Sequence, residues 1–250
     1  MPEGPSIVLL REAAGRFTGC TVREVGGNSR QPLARMHGCR VPAVRSWGKH
    51  FLLELDDFSL RIHLMMFGSW LVDQRKPAAP RVALRFDNGE LNVYACSVMF
   101  IERPLDQVYH WRADVMSDCR DPALARRRLE AAPATQVCDA LLDQQVFSGV
   151  GNIIKNEVLF RIRVHPATRV GDLPPRRLGQ LIAQARRYSF EFLAWKRAFV
   201  LKKHWQVHTR RTCPACGGPI SKLYMGRTPR RTFFCARCQA LGGAGDAPPS

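Results

Sequence analysis

The sequence has few acidic residues for its length. Asp and Glu number 21 in 250 residues, against 38 Lys and Arg, which gives a formal net charge of +17. Such a chain attracts polyanions, and nucleic acid is the strongest candidate because its phosphates release counterions when Lys and Arg neutralise them. An anionic membrane is a weaker candidate. The composition therefore predicts a nucleic-acid partner.

Long apolar segments are also absent. No run approaches the roughly 20 residues that a membrane helix needs, and Met-Pro-Glu-Gly-Pro has neither the basic start nor the apolar core of a signal peptide. We therefore expect a cytoplasmic, nucleoid-associated bacterial protein without membrane contact and without a small-molecule cofactor. Nothing in the sequence demands more than a monomer.

The nine cysteines do not indicate a disulfide framework, because the number is odd and no export signal is present. Four of them form Cys213-Pro-Ala-Cys216 and Cys235-Ala-Arg-Cys238, with eighteen residues between the pairs. This is the spacing of a four-cysteine zinc site, and four thiolates leave no coordination position open for chemistry. We predict a structural Zn²⁺ here. The other cysteines are expected to be small buried hydrophobes: Cys20, Cys39, Cys96, Cys119 and Cys138.

Hydrophobic periodicity predicts an α+β fold. After a helix over 4–17, alternating runs predict strands at 20–25, 40–46, 50–55, 59–64, 81–86 and 90–95. Turn residues at 56–57 and 87–89 favour hairpins, and strands without helices between them favour an antiparallel sandwich or barrel. Helices are predicted at 122–131, 136–145, 152–162 and from Pro174-Pro175 onward.

The last of these helices has one apolar stripe, and we expect its basic residues to form a solvated face. Beyond it, residues 223–225 and 232–234 flank a basic segment, which predicts a β-hairpin with a basic tip. We divide the chain into a β domain at 1–112, a helical domain at 120–200, a zinc finger at 201–239 and a disordered tail at 240–250.

The first residues suggest a nucleophile. Removal of Met1 would give Pro2 a secondary amine, whose adduct with carbon is a positively charged iminium ion. An α-amino group has a pKa of about 7.7 to 8.0, so roughly a tenth of it is neutral at pH 7, against about 0.04% of a lysine. Glu3 is placed to move protons at the atom attacked. The alternative is a plain helix start, in which Pro2 only permits removal of Met1.

A second motif is the turn Ser-Gly-Val-Gly-Asn at 148–152, between two predicted helices. The glycines allow a tight turn, and Asn152 is a suitable N-cap that would leave amides for an anion at the positive end of the helix. Alone, this motif indicates an interhelical turn more readily than a phosphate site. It does not follow a strand, as a dinucleotide-binding motif would.

Several motifs occur along the chain in the order of a known family. These are Met-Pro-Glu-Gly-Pro at the start, Leu-Leu-Asp-Gln and Gly-Val-Gly-Asn within 141–152, and Arg-x-Thr-Phe-Phe-Cys near the end. In these motifs the chain resembles the formamidopyrimidine-DNA glycosylase and endonuclease VIII family. The resemblance spans nearly the whole chain. It implies an N-terminal β-sandwich domain, a helix-two-turns-helix domain and a zinc-finger hairpin. It also implies a base excision repair enzyme that acts on damaged DNA as a glycosylase and abasic-site lyase, through a Schiff base at Pro2 and β,δ-elimination.

The resemblance implies further roles. Lys49 would contact the phosphate near the lesion and assist proton transfer, although a surface lysine at a strand start is the alternative. Asn152 would contact the phosphates that flank the lesion, and we expect Lys155 to contact DNA as well. Arg230 corresponds to the arginine at the tip of the zinc hairpin, and Arg231 is the competing assignment. Arginine suits this role because its planar fork grips a phosphate with two hydrogen bonds.

Family enzymes evict the damaged nucleotide, and we expect Met65, Met66 and Phe67 to fill the vacated space. Whether at least one of them packs in the β core instead remains open. Enzymes for oxidised purines carry an Arg-Phe pair on a second loop, where this chain has no arginine at 95–100. The chain therefore looks closer to endonuclease VIII, which prefers oxidised pyrimidines, although Ser6 stands where endonuclease VIII has an acidic residue.

Three alternatives stay open. The charge and the four cysteines would also suit a zinc-ribbon protein that binds nucleic acid without catalysis. The enzyme would otherwise remove oxidised purines of the formamidopyrimidine type, or act on abasic sites with little excision of bases.

Overall fold

The computed structural model describes residues 2–241, and the chain divides between Trp111 and Arg112 into two compact units. We call these the first unit and the second unit. Met1 and residues 242–250, most of the tail predicted at 240–250, lie outside the described residues. Within 2–241, no helix has both the length and the apolar character needed to cross a membrane.

The first unit is built mainly from strands. Those described are β1 (Glu24–Gly26), β2 (Val44–Trp47), β3 (His50–Glu54), β4 (Ser59–His63), β5 (Ser69–Val72), β6 (Val82–Phe86), β7 (Gly89–Tyr94) and β8 (Ser97–Ile101). They form two four-stranded antiparallel sheets, in the orders β1-β6-β7-β5 and β2-β3-β4-β8. A short helix, α2 (Leu105–Val108), follows β8. This arrangement, with the helices of the second unit, confirms the predicted α+β class.

The core of the first unit contains apolar side chains from both sheets and from helix α1 (Gly4–Ala14). Phe51 of β3 and Leu10 of α1 are fully buried there. Phe17, in the 3₁₀ turn after α1, stacks on Phe86 of β6 with ring centroids 4.3 Å apart. Because these contacts fix α1 against the sandwich, the residues at its start also have a fixed place.

Two strands were not expected from the sequence. Strand β5 is short, and all four of its residues are half-buried, so it lacks the alternation that marks a strand. Strand β8 occupies the stretch that the resemblance assigned to a second loop. The connection from β7 to β8 consists only of Ala95 and Cys96, and Ala95 has a positive φ of 48°. That expectation of a loop is therefore wrong.

The second unit contains helices α3 (Pro122–Glu130), α4 (Val137–Ala140), α5 (Asn152–Arg161) and α6 (Pro175–Arg197), and the hairpin strands β9 (Ser221–Met225) and β10 (Arg230–Phe234). The helix predicted over 136–145 is much shorter, because side chains close turns after α4. The Asp143 carboxylate accepts a hydrogen bond from the Gln145 amide, and the Gln144 side chain donates to the Leu142 and Val150 carbonyls.

Helix α6 buries the predicted apolar stripe, from Leu178 to Phe192, in the core of the second unit. Arg176, Arg187 and Arg197 are exposed, as expected of a solvated face, but two other arginines of the helix depart from it. Arg177 donates to the Ile162 carbonyl, and Arg186 donates to the carbonyls of Val115 and Ser117. These two guanidinium groups therefore hold neighbouring chain segments against the helix.

The cysteines outside the two paired motifs are not all buried. Cys96 and Cys138 are buried as expected, and burial raises the pKa of each thiol to about 11. Cys20 and Cys39 are half-buried, whereas Cys119 is exposed. The expectation of a buried thiol at Cys119 is wrong because the residue lies in the irregular segment before α3.

A buried carboxylate ties helix α5 to a distant segment. Glu157 is fully buried, and its oxygens accept hydrogen bonds of 2.9, 3.0 and 2.8 Å from the amides of Gln206, Val207 and His208. Burial raises the pKa of Glu157, while the three amides act in the opposite direction. The amides of 206–208 therefore depend on one side chain for their hydrogen bonds.

We expect Glu157→Ala to lower the free energy of unfolding by about 3 kcal/mol, because the amides lose their acceptor away from bulk water. Glu157→Gln keeps one acceptor oxygen and is expected to cost less. Urea unfolding followed by circular dichroism measures both losses. Equal losses in the two variants would contradict this account.

Candidate functional site

The start of helix α1 places Pro2 and Glu3. Pro2 is half-buried, and Glu3, the N-cap residue of α1, is fully buried. Ser6 holds this turn closed: its amide donates to the Glu3 carbonyl at 2.8 Å, and its hydroxyl accepts from the Glu3 amide at 3.4 Å. Ser6, the residue that departs from endonuclease VIII, thus has a local structural role in fixing Glu3.

Lys49 lies in the two-residue turn between β2 and β3, not at a strand start, and is half-buried. Gly48 before it has a φ of 53°, a left-handed conformation that glycine adopts without strain. Next to Lys49, His50 forms a 3.2 Å hydrogen bond with the Tyr109 hydroxyl. Burial, with the nearby charges of Arg61, His63 and Lys49, lowers the pKa of His50 to about 3. The imidazole beside Lys49 is therefore neutral near pH 7.

The loop between β4 and β5 exposes three apolar side chains: Met65, Met66 and Phe67 are 51%, 52% and 84% exposed. None of them packs in the β core, which answers the question left open by the sequence. The loop is tight, because the Gly68 amide donates to the Leu64 carbonyl at 2.7 Å and a Cβ on Gly68 would lie 2.0 Å from that oxygen. An exposed apolar cluster of this kind is a candidate interaction site.

Sequence reasoning missed the histidine that supports this loop. His63, the last residue of β4, accepts a hydrogen bond at Nδ1 from the Met65 amide, at 3.3 Å. Met65 has a φ of 50°, which is uncommon for a side chain of its size. His63 pairs with His50 across the two strands. The only sequence signal for this pair is a histidine at each end of the β3–β4 hairpin.

In the second unit, the glycine turn leads into α5, and Gly149 has a φ of 98°. The N-cap of α5 is Gly151, so the prediction of Asn152 as the N-cap is wrong by one residue. Asn152 is the first helical residue, and its side chain donates instead to the Arg231 carbonyl, at 2.7 Å. The Gly149 amide donates to the Gln144 side chain at 3.0 Å, so it is already occupied.

The hairpin of β9 and β10 presents its basic residues to solvent, and both Arg230 and Arg231 are exposed. The predicted hairpin with a basic tip is thus observed. At its turn, the Arg227 amide donates to both carboxylate oxygens of Asp139, at 2.9 and 3.0 Å. Gly226 lies so close to Asp139 that a Cβ there would be 2.3 Å from a carboxylate oxygen. The tip is therefore held by helix α4.

Lys155 lies inside the second unit, fully buried, and its ammonium donates to the Thr232 hydroxyl at 2.8 Å. The fold therefore encloses this ammonium, whereas a phosphate contact requires a cation at the surface. The expected DNA contact of Lys155 stays a prediction. The predicted residues fall into two groups. Pro2, Glu3, Lys49 and residues 65–67 belong to the first unit, and the others belong to the second.

Cys213, Cys216, Cys235 and Cys238 form one cluster, in which all four Sγ atoms lie within 4.8 Å of one another. The Sγ atoms of Cys213 and Cys238 are 3.8 Å apart, and those of Cys216 and Cys235 are 3.5 Å apart. Tetrahedral ligation at about 2.3 Å gives sulfur separations of about 3.8 Å. These four residues fit a metal ion.

Comparison with known proteins identifies the family. The N-terminal domain of formamidopyrimidine-DNA glycosylase matches residues 1–100, and the H2TH domain of formamidopyrimidine-DNA glycosylase matches residues 114–188. The chain belongs to the formamidopyrimidine-DNA glycosylase family.

Relatives that match nearly the whole of this chain agree. The formamidopyrimidine-DNA glycosylase of Chloroflexus aurantiacus is 30% identical over 277 residues, covering 96% of this chain and 98% of that protein. Endonuclease 8-like 3 of Mus musculus is 31% identical over 246 residues, covering 94% of this chain, and this chain spans only 40% of the mouse protein. The Lactococcus lactis formamidopyrimidine-DNA glycosylase bound to AP-site DNA shares the fold, with a TM-score of 0.81 at 20% identity over 96% of this chain and 100% of that one.

We expect one metal ion per chain, held by the four cysteines. Cys235→Ser should lose the ion and lower the thermal unfolding midpoint, because binding energy at such a site contributes directly to folding. Cys119→Ser is the matched control, since Cys119 is exposed and lies outside the cluster. Elemental analysis and thermal scans measure both effects. Full metal content in Cys235→Ser would show that the cluster is not the site.

Proposed function

We propose that this chain is a bifunctional DNA glycosylase and abasic-site lyase of base excision repair, with Pro2 as the nucleophile and Glu3 as the acid/base. The observation that carries the proposal is the fully buried Glu3 directly after the half-buried Pro2, at the fixed start of α1. Carboxylates are rarely buried completely, and this one stands beside the group that would become a secondary amine. Membership of the family adds to this support.

The amine is available only after processing. While Met1 is attached, the Pro2 nitrogen belongs to an amide, and its lone pair is delocalised into the carbonyl. Removal of Met1 gives a free α-amino group. Groups of this class have a reference pKa of about 7.7 to 8.0, at which roughly a tenth of the amine is neutral and nucleophilic at pH 7. The enzyme is therefore expected to act only in chains that lack Met1.

The proposed cleavage of the glycosidic bond and of the DNA strand uses only side chains and the Pro2 amine. The Pro2 nitrogen bonds to C1′ of the damaged nucleotide, and the glycosidic bond breaks as the base leaves with its electron pair and a proton. Glu3 protonates the ring oxygen, so that the C1′–O4′ bond opens and leaves an iminium ion. The iminium acidifies C2′, and loss of a C2′ proton expels the 3′ phosphate. A second elimination then expels the 5′ phosphate.

Basic residues would hold the DNA around this reaction. Lys49 would bind the phosphate near the lesion, and the neutral imidazole of His50 beside it leaves Lys49 as the charged group of that turn. In the second unit, Arg230 would grip a phosphate from the hairpin, with Arg231 as the competing residue, and Asn152 would contact the flanking phosphates. The contact of Asn152 with the Arg231 carbonyl joins two of these residues.

We further propose zinc as the metal, because four thiolates favour it and leave no open position. Cys213, Cys216, Cys235 and Cys238 would hold it, and it would stabilise the hairpin without entering the reaction. The working protein is proposed to be a monomer, bacterial and nucleoid-associated, with damaged DNA as its partner. The segments 1–112, 120–200 and 201–239 are proposed as its β, helix-two-turns-helix and zinc-finger domains.

Oxidised pyrimidines are the proposed substrates, because of where the residues that would fill the vacated space (the wedge residues) lie. Met65, Met66 and Phe67 all project from one loop, and the two-residue connection before β8 offers no second loop for a wedge. This is the arrangement that the sequence resemblance links to endonuclease VIII.

We expect the wild-type chain to be trapped covalently by borohydride on DNA with an abasic site, because hydride reduces the iminium to a stable amine. Glu3→Gln should lower the rate of trapping by about 10²-fold or more. Insertion of one lysine between Met1 and Pro2 acylates the Pro2 nitrogen and should abolish trapping, while Pro5→Ala keeps the amine and serves as the control. Mass spectrometry establishes whether Met1 is present. Active protein that retains Met1 would disprove the mechanism.

We expect Phe67→Ala to reduce excision of an oxidised pyrimidine from duplex DNA by roughly tenfold, because the vacated space loses its filler. Excision from single-stranded DNA should change little, since no base pair is opened. Because Phe67 is 84% exposed, the thermal midpoint should stay the same. Met99→Ala, on β8 and 46% exposed, is the matched control. A loss of similar size on both substrates would argue against a wedge.

A further inference from the structure

An open cavity of about 700 Å³ lies on the second unit between helices α3 and α6. This volume is within the range of about 300 to 1,000 Å³ in which proteins bind compact ligands. The proposed reaction uses none of the residues that line it. The cavity is therefore separate from the proposed catalytic residues.

The rim of the cavity is positively charged. Arg120, Arg126, Arg186 and Arg187 line it, and none of its lining residues is acidic. Arg120 and Arg186 donate to backbone carbonyls, which leaves Arg126 and Arg187 as the more exposed cations of the rim. Arg126 pairs with Glu130 at 3.4 Å and Arg187 with Glu191 at 3.0 Å, both at the surface of the helices. Such exposed pairs contribute little and leave an arginine able to bind another anion. Burial and the charge of Arg186 lower the pKa of Arg120 to about 10, which reflects the crowding of like charges.

The floor of the cavity is apolar. It includes Ile182, Ala183 and Phe190, and the ring of Phe190 is 40% exposed. Gly179 adds to the opening: glycine is less favourable than alanine inside a helix, yet here it keeps the space free. A Cβ at Gly179 would lie 3.4 Å from the Arg126 guanidinium. Apolar surface is thus left open beside the exposed guanidinium groups of Arg126 and Arg187.

We propose that this cavity binds an acidic peptide segment that carries a bulky apolar side chain. Two carboxylates of a peptide match the exposed guanidinium groups of Arg126 and Arg187, and the apolar side chain matches the floor. A nucleic acid fits less well. The Arg186 guanidinium carbon lies 4.8 Å from the Phe190 ring centroid and covers one face of that ring, where a base would stack.

The test uses the full chain and a fluorescein-labelled peptide, Asp-Glu-Asp-Leu-Asp-Phe, in a fluorescence anisotropy titration at about 0.15 M salt, where distant charges are screened. Arg126→Glu and Arg187→Glu should each weaken binding at least tenfold, and Ala183→Leu should weaken it by filling the floor. Arg176→Glu makes the same charge change on an exposed part of α6 outside the cavity. It should change the affinity less than twofold.

Arg126→Gln removes the charge without reversing it and serves if Arg126→Glu fails to fold, as judged by circular dichroism. Equal weakening by Arg176→Glu would overturn the proposal, because binding would then depend only on net charge. Equal binding of a peptide with Gly in place of Leu and Phe would also overturn it. So would a tenfold loss of affinity for undamaged duplex DNA in the same rim variants, since the surface would then serve DNA.

Discussion

The second unit depends on three consecutive polar side chains of helix α5 that are all fully buried: Lys155, Asn156 and Glu157. Each would be costly inside the fold without a partner. Lys155 bonds to Thr232 of β10, the Asn156 amide donates to His208 Nδ1, and Glu157 binds the amides of 206–208. Because an amide nitrogen only donates, His208 must accept, and burial lowers the pKa of His208 to about 4. The cluster therefore fixes how the later chain packs on α5.

The position of the β9–β10 hairpin follows from this constraint. Lys155 donates a hydrogen bond to Thr232 of β10, and Asn152, one turn earlier on the same helix, donates to the Arg231 carbonyl. Asp139 of α4 binds the hairpin tip through the Arg227 amide. These bonds engage the backbone or buried atoms of the hairpin, so its exposed guanidinium groups remain at the surface. A buried lysine thus supports surface arginines, and a phosphate site at the hairpin would depend on both.

Sequence patterns predicted features that rest on neighbours in the chain and failed where the partner is distant. In α6 and in the β3–β4 hairpin, apolar residues recur at short intervals along the chain. The burial of the α6 stripe and the pairing of the two strands were therefore predictable. The burial of Lys155 depends on Thr232, 77 residues away, which no local pattern indicates. For the candidate site, the cluster of four cysteines was predictable from their spacing. The hydrogen bond from the Met65 amide to His63 was not, because it depends on where β4 ends.

Net charge alone is a poor guide to where a polyanion would bind. The chain carries +17, yet much of this charge has structural tasks: Arg177 and Arg186 bind carbonyls, and Arg161 pairs with Glu191 at 2.6 Å. A guanidinium that already satisfies a carbonyl has fewer donors left for a phosphate. Arginines that remain exposed on a fixed backbone, as on the β9–β10 hairpin, can offer all the donors of the guanidinium group to a ligand. Binding of an anion is thus set by which arginines the fold leaves free to act, and only secondarily by their number.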